Sequence, residues 1–401
     1  MINIKNIFLI IAFVIESFYL LTCPFNVYAK EELPVAPKMN AKAWVLIDYS
    51  NGTVLSEFNS DKKLNPASLT KMMTSYVIGQ KIKEGKIKYE DIVTINKDAW
   101  APGNPLLQGS SLMFIKPGDQ VSVYDLNKGV AIQSGNDACI ALADYIGGSQ
   151  NAFVDLMNYY VKVLGLKNTH FMTVHGLDSD GQYSTAHDMA IIGQALIRDV
   201  PKEYELNKEK EFTFNHIKQI NRNKLLWSNV LKVDGIKTGH TLGAGNNLVA
   251  SAVDNNTRLI SVILGAPNDP VRFTDSERLL IWGFNFFETV NPIKANVPLT
   301  SRRVWFGKSS KVNIGINNDV SLTIIKDQKQ DVKINFSLNS ERLDAPLKKG
   351  QIIGKVVFKI QDKEVDDCPL VVLNEVKKGN FFSRFIDFII IKINTWFGLS
   401  L

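Results

Sequence analysis

The sequence predicts an α+β protein. An antiparallel sheet flanked by helices, plus an all-helical lobe, precedes a small all-β module and a C-terminal amphipathic helix. Three observations predict this. Hairpin-like runs stand at both ends of a long helical stretch, short alternating runs fill the region after Pro292, and the last 23 residues mix Phe, Ile and Trp with a polar stripe. At 401 residues, 45% hydrophobic and 21% charged, the chain is globular and multi-domain rather than disordered.

Residues 1–29 carry Lys5, an apolar run from Ile7 to Ile15 and the small-residue end Val27-Tyr28-Ala29. They read as a secretory signal peptide cut after Ala29, so the mature protein works outside the cytoplasm. A first domain over 30–291 follows. Ala43–Asp48 and Thr53–Phe58 are two strand-like runs around Ser50-Asn51-Gly52, a hairpin signal. Pro66 precedes a helical stretch from Ser68 towards Gly85. Helical spacing continues in Ala138–Ile146 and Ala152–Leu164. Strand patterns return at Gly235–Thr241, Leu248–Ala252 and Leu259–Leu264, and 270–289 reads as a closing helix.

From 292 to 378, alternation in Lys311–Ile316, Val320–Ile325, Val332–Leu338 and Val356–Ile360 predicts a β-sandwich module. In 379–401, Asn380, Ser383, Arg384, Asp387, Lys392, Asn394 and Thr395 fall in one half of a helix, with Phe388 and Ile391 intruding. Arg384, Asp387 and Lys392 interrupt the run too often for a membrane span. A helix lying in the interface plane of a membrane, with Trp396 and the Phe residues embedded, fits better.

Lys plus Arg is 46 and Asp plus Glu is 40, a net +6 that suits an anionic membrane surface and gives no reason to expect nucleic acid. Five His (His170, His175, His187, His216, His240) and three Cys (Cys23, Cys139, Cys368) show no ligand spacing, so no metal or other cofactor is expected.

Three short motifs carry the chemistry. In Ser68-Leu69-Thr70-Lys71 the spacing of three puts Ser68 and Lys71 on one helix face, near the N-terminus that favours a developing anion. A Ser attacks only when a base takes its proton, and a Lys serves as that base only when its amine is neutral, which burial or a second cation promotes. Ser134-Gly135-Asn136 heads an apolar helix. Lys237-Thr238-Gly239-His240 lies on a strand, where Gly239 would admit a substrate backbone and Lys237 with Thr238 would meet a carboxylate.

In this order the three motifs resemble the Ser-x-x-Lys, Ser-Asp-Asn and Lys-Thr-Gly signature of penicillin-binding proteins and class A β-lactamases, with Gly135 departing from the lactamase Asp and resembling the carboxypeptidase pattern instead. The chain resembles the low-molecular-mass penicillin-binding proteins of the D-alanyl-D-alanine carboxypeptidase type. The resemblance includes Gly181-Gln-Tyr-Ser-Thr-Ala-His-Asp-Met-Ala, Glu211-Phe-Thr-Phe-Asn, Asn221-Arg-Asn-Lys-Leu-Leu-Trp and Val233-Asp-Gly-Ile-Lys-Thr-Gly-His-Thr. It extends through the β module and tail. It implies a β-lactamase/transpeptidase-like first domain and a hydrolase without cofactor. Such an enzyme removes the terminal D-alanine from peptidoglycan pentapeptides ending in D-Ala-D-Ala and is acylated by β-lactam antibiotics. By the same resemblance Ser68 is the nucleophile, Lys71 the general base and Ser134 the proton relay. Asn136 holds the substrate amide. Lys237 and Thr238, helped by Arg222, bind the terminal carboxylate, and the N–H groups of Ser68 and His240 form the oxyanion hole. His187 stands where such proteins usually show Arg, and no role is carried to it. The implied setting is the periplasmic side of a bacterial inner membrane, with a part in wall maturation and cell shape.

Two rivals remain. A β-lactamase would need a deacylating Glu, and Glu203-Tyr-Glu-Leu-Asn207 matches the string of one; its distance from Ser134 is wrong, and it reads as a solvated charge run. A catalytically silent penicillin-binding scaffold is the other, and the intact Ser68/Lys71 pair speaks against it.

Overall fold

The computed structural model describes residues 34–326, 328–360 and 362–397. The expected signal peptide lies outside these residues. The first sheet is built from β1 (Ala43–Asp48), β2 (Val54–Phe58), β3 (Val233–Thr241), β4 (Gly245–Asp254) and β5 (Thr257–Ala266). Its order is β2-β1-β5-β4-β3, antiparallel throughout. Period-two alternation gives each strand two apolar faces. Val45, Ile47, Val249, Ile260 and Val262 face the helical lobe, whereas Trp44, Leu46, Leu248, Ala250 and Leu259 face the other side.

The lobe contains α1 (Thr70–Lys83), α2 (Asn136–Gly147), α3 (Gln150–Val163) and α4 (Ala186–Asp199), while α5 (Asp269–Phe286) covers the opposite face. Caps set the starts: Ser149 accepts from the Ala152 N–H, Thr185 from Asp188, and Asn268 from Val271. α1 is buried almost all round, from Thr70 to Gly79. It is therefore a core element enclosed by the sheet and the lobe, and Ser68 is carried at its entrance. A small antiparallel pair, 92–94 with 120–122, and a hairpin, 211–214 with 217–220, have strands too short for alternation to reveal.

The closing helix ends three residues before the sequence pattern suggests, because Phe287 starts a strand. β6 (Phe287–Ile293) puts Phe287 in the α5 core and Val290 and Ile293 in the β core. β7 (Thr300–Trp305), β8 (Lys311–Gly315), β9 (Val320–Ile325), β10 (Val332–Leu338), β11 (Leu343–Asp344), β12 (Ile352–Ile360) and β13 (Lys363–Val372) follow. A six-stranded sheet β10-β12-β13-β8-β7-β11 packs against the β6–β9 pair over a shared core. The module is tied to the first sheet by the buried Asp48 carboxylate. It accepts from Thr289 Oγ1 at 2.6 Å and Thr323 Oγ1 at 2.9 Å.

The C-terminal helix is α6 (Phe381–Trp396), capped by Asn380. Asp387 accepts from the Phe306 N–H at 2.7 Å and from Arg303, and Ile391 is buried. The helix thus turns part of its polar side to the β module and leaves Phe381, Phe382, Phe385 and Trp396 exposed. Among the described residues no helix is long and apolar enough to cross a membrane.

Candidate active site

The chain before α1 is held in an unusual shape. Asn65 accepts from the Ala67 N–H, Ala67 has φ +49°, and Asn247 of β4 donates to the carbonyls of Asn65 and Pro66 at 3.0 and 3.1 Å. Gly176, at φ +89°, packs on this turn, and a Cβ there would lie 1.9 Å from the Ala67 carbonyl oxygen. Only glycine permits that approach. The result places Ser68 in a single 3₁₀ turn leading into α1.

Lys71, one turn on, is 1% exposed. Its Nζ donates to Ser68 Oγ at 3.0 Å, Asn136 Oδ1 at 2.6 Å and the His175 carbonyl at 2.6 Å. These acceptors favour the ammonium, yet burial outweighs them. It lowers the Lys71 pKa from 10.5 to about 8, with Arg222 pushing the same way and Cys139 and Asp137 opposing. The neighbouring bond from Thr74 Oγ1 to the Val174 carbonyl fixes the same loop one turn further along α1. Burial, with Lys71 adding to it, keeps the His175 imidazole neutral by lowering its pKa to about 3.

Ser134 follows a π-helical turn, Gly129–Gln133, and has φ +66°. Its hydroxyl is buried without a hydrogen-bond partner. Asn136 opens α2, with its N–H bonded to the Ser111 carbonyl at 2.8 Å. Asp137 reaches back across the turn and accepts from the N–H groups of Met113 and Phe114, both at 2.8 Å. It thereby fixes the segment opposite the motif.

β3 brings up the last motif. Gly239 lies against the Ser68 turn: a Cβ there would stand 2.9 Å from the Pro66 oxygen and 3.1 Å from the Ser68 nitrogen. Its bareness is first required by the Ser68 turn rather than by a substrate. Buried Arg272 donates to the Gly239 and Asn247 carbonyls and pairs with Asp269, clamping β3 to β4 here. Lys237 is buried, and its Nζ donates to the Thr238 carbonyl at 3.2 Å. Burial, then the charges of Lys71 and Arg222, push its ammonium far down. His240 and Arg222 are exposed, and Arg222 Nε donates to the Gln133 carbonyl.

A cavity of about 420 Å³ unites these parts. Ser68, Ser134, Asn136, Arg222, Thr238, Gly239 and His240 all line it, and Lys71 and Lys237 stand behind that lining. The nine residues singled out in the sequence therefore converge on one place. Three contributors carried no sequence signal. His175 offers a backbone carbonyl, Gly176 a missing Cβ, and Arg272 a clamp behind the wall.

One expectation is corrected. Glu203 is not a solvated charge: it is 2% exposed, packed against Gly79 of α1, and burial raises its pKa to about 7. Gly79 lies eleven residues beyond Ser68, so at about 1.5 Å per residue the carboxyl is roughly 16 Å away along the helix. Among the described residues no carboxylate lines the cavity.

Comparison with known proteins gives the same outline. The family model described as D-alanyl-D-alanine carboxypeptidase matches residues 30–268, and that described as Penicillin-binding protein 5, C-terminal domain, matches 287–378. The chain is 58% identical over 383 residues to the D-alanyl-D-alanine carboxypeptidase DacC of Escherichia coli, covering 96% of each chain. It is 57% identical to DacA of the same organism over 92% of each chain. The crystal structure of penicillin binding protein 5 from Haemophilus influenzae superposes with a TM-score of 0.82 at 48% identity, covering 86% of this chain and all of that one.

Proposed function

This chain belongs to the D-alanyl-D-alanine carboxypeptidase family, and on that premise we propose that Ser68 cleaves the terminal D-alanine from peptidoglycan stem pentapeptides through an acyl-enzyme. The observation that carries the residue roles is the buried Lys71 amine bonded to Ser68 Oγ beside the cavity. Neutral Lys71 takes the Ser68 proton as Oγ attacks the carbonyl between the two D-Ala residues. The oxyanion is met by the N–H groups of Ser68 and His240, which the bare Gly239 allows to stand side by side. Ser134, whose hydroxyl is otherwise unpartnered, passes the proton from Lys71 to the leaving amine, and D-alanine departs. Asn136 holds both Lys71 and the substrate amide.

The terminal carboxylate meets Thr238 and Arg222 directly, with Lys237 contributing from behind the wall. An arriving carboxylate favours the Lys237 ammonium, which burial disfavours. Water, deprotonated by Lys71, then attacks the ester and releases the shortened peptide. Glu203 is too remote to speed this step for a β-lactam, so a penicilloyl adduct on Ser68 is long-lived. That separates this reading from a β-lactamase.

The setting is the periplasmic face of a bacterial inner membrane, reached through a cleaved signal peptide. The exposed Phe and Trp residues of α6 support an anchor lying in the interface plane, with the β module lifting the cavity from the bilayer. Incubation with a pentapeptide and with nitrocefin tests the activity: D-alanine release with slow nitrocefin turnover is expected, and rapid nitrocefin turnover without D-alanine release refutes it. Mass spectrometry after penicillin should find the adduct on Ser68 and none on Ser68→Ala. Deleting 379–401 should move the protein to the soluble fraction; retention on membranes refutes the anchor.

A further inference from the structure

A second cavity, of about 410 Å³, adjoins the active-site cavity. The two share Gln108 and Gly109 as a common wall. Trp100, Pro102, Leu112 and Phe114 give the second an aromatic and apolar lining.

Phe114 is the telling residue. It is 46% exposed, and its φ is +69°, a region aromatic residues rarely occupy. The Asp137 carboxylate holds it there through the Met113, Phe114 and Ile115 N–H groups. The residue next to Asn136 thus maintains a strained backbone that presents a phenyl ring to a groove. Such strain persists only where the surroundings over-determine it, and it clusters at functional sites. Burial of the ring is not the compensation here, because the ring is half out of the protein. Trp100 lines the same groove with its indole against Gly103, where a Cβ would stand 2.9 Å from the ring.

We propose that this groove binds the amino sugar that carries the stem peptide, an inference that rests on the carboxypeptidase reading above. A pyranose offers an apolar C–H face to aromatic rings and polar groups at its edge, and the lining supplies Gln108 and Lys116 beside those rings. A peptide would instead seek a strand edge, which this wall does not provide. The reach agrees. Four stem residues separate the scissile carbonyl from the sugar and span at most about 14 Å. A stem peptide of that length can leave the active-site cavity across the shared Gln108–Gly109 wall and bring its sugar to the groove beyond.

The test compares wild type, Trp100→Ala and Phe114→Asn, the last chosen because Asn tolerates positive φ. Two substrates are used, a free pentapeptide and the same peptide on its disaccharide. Wild type should favour the sugar-linked substrate in kcat/KM by about tenfold, and both variants should lose that preference while keeping free-peptide turnover. Equal losses on both substrates would mean that the groove reads peptide and would overturn the proposal, as would a preference unchanged in the variants. Ligand-observed NMR with the peptide-free disaccharide gives an independent readout: contact with wild type and none with Trp100→Ala is expected. No contact with wild type overturns the sugar site whatever the kinetics show. Contact without turnover of either substrate supports the groove and rejects the carboxypeptidase reading alone.

Discussion

Acylation of Ser68 by a penicillin should accelerate about tenfold per pH unit below pH 8 and level off above it, because the reactive species holds a neutral Lys71. The perturbation is pH, and the magnitude follows from the site. With a pKa of about 8, roughly one Lys71 in eleven is neutral at pH 7. An ordinary lysine at 10.5 would be neutral about once in three thousand molecules, so burial raises the working base roughly 300-fold, worth about 3 kcal/mol. The three acceptors around Nζ resist this shift, and removing or strengthening one should move the midpoint predictably.

Asn136→Asp places a carboxylate where Oδ1 now stands 2.6 Å from Nζ, and should raise the midpoint by about one to three pH units. Stopped-flow acylation with a fluorescent penicillin from pH 5.5 to 9.5 measures both profiles. A wild-type rate flat between pH 6 and 9 would refute Lys71 as the titrating base. A midpoint unmoved in Asn136→Asp would refute the electrostatic account of its pKa.

Gly176→Ala should cost about 2–4 kcal/mol in thermal stability and abolish penicillin labelling, because its Cβ collides with the Ala67 backbone at a positive φ; normal labelling would show that the Ser68 turn tolerates the shift. Glu203→Gln should stabilise the protein at high pH. The Glu203 carboxyl has its pKa raised by burial from 4.5 to about 7, so its ionisation penalises the fold as pH rises through that window, by roughly 3 kcal/mol above it. Melts at pH 5 and 8 should show the variant gaining mainly at pH 8, and an equal gain at both would reject the buried-acid assignment. Asp387→Ala strands the Phe306 N–H and should loosen α6 by about 1–3 kcal/mol, seen as faster hydrogen exchange across 381–396; unchanged exchange would mean that Ile391 packing alone holds the helix.

The fold was legible where side-chain period matches element length. The ten-residue strands β4 and β5 and the long α5 announce themselves, whereas three-residue strands at 92–94 and 120–122 hold too few residues to show any period. Motif residues were legible because the proposed chemistry needs side chains that few residue types provide. Glu203 was misread for the complementary reason: a charged residue in a polar string looks solvated until tertiary packing places it under α1. The sequence is silent where function comes from the backbone. His175 contributes a carbonyl, and Gly176 contributes the absence of a Cβ. The coupling between them is physical. The loop that Gly176 allows to touch Ala67 delivers the His175 oxygen to Lys71, so one close approach shapes the Ser68 turn and orients the Lys71 amine. An amine buried for a low pKa must still be pointed at Ser68 if it is to serve as the proposed base, and it is this unmarked loop, with Asn136, that supplies the direction.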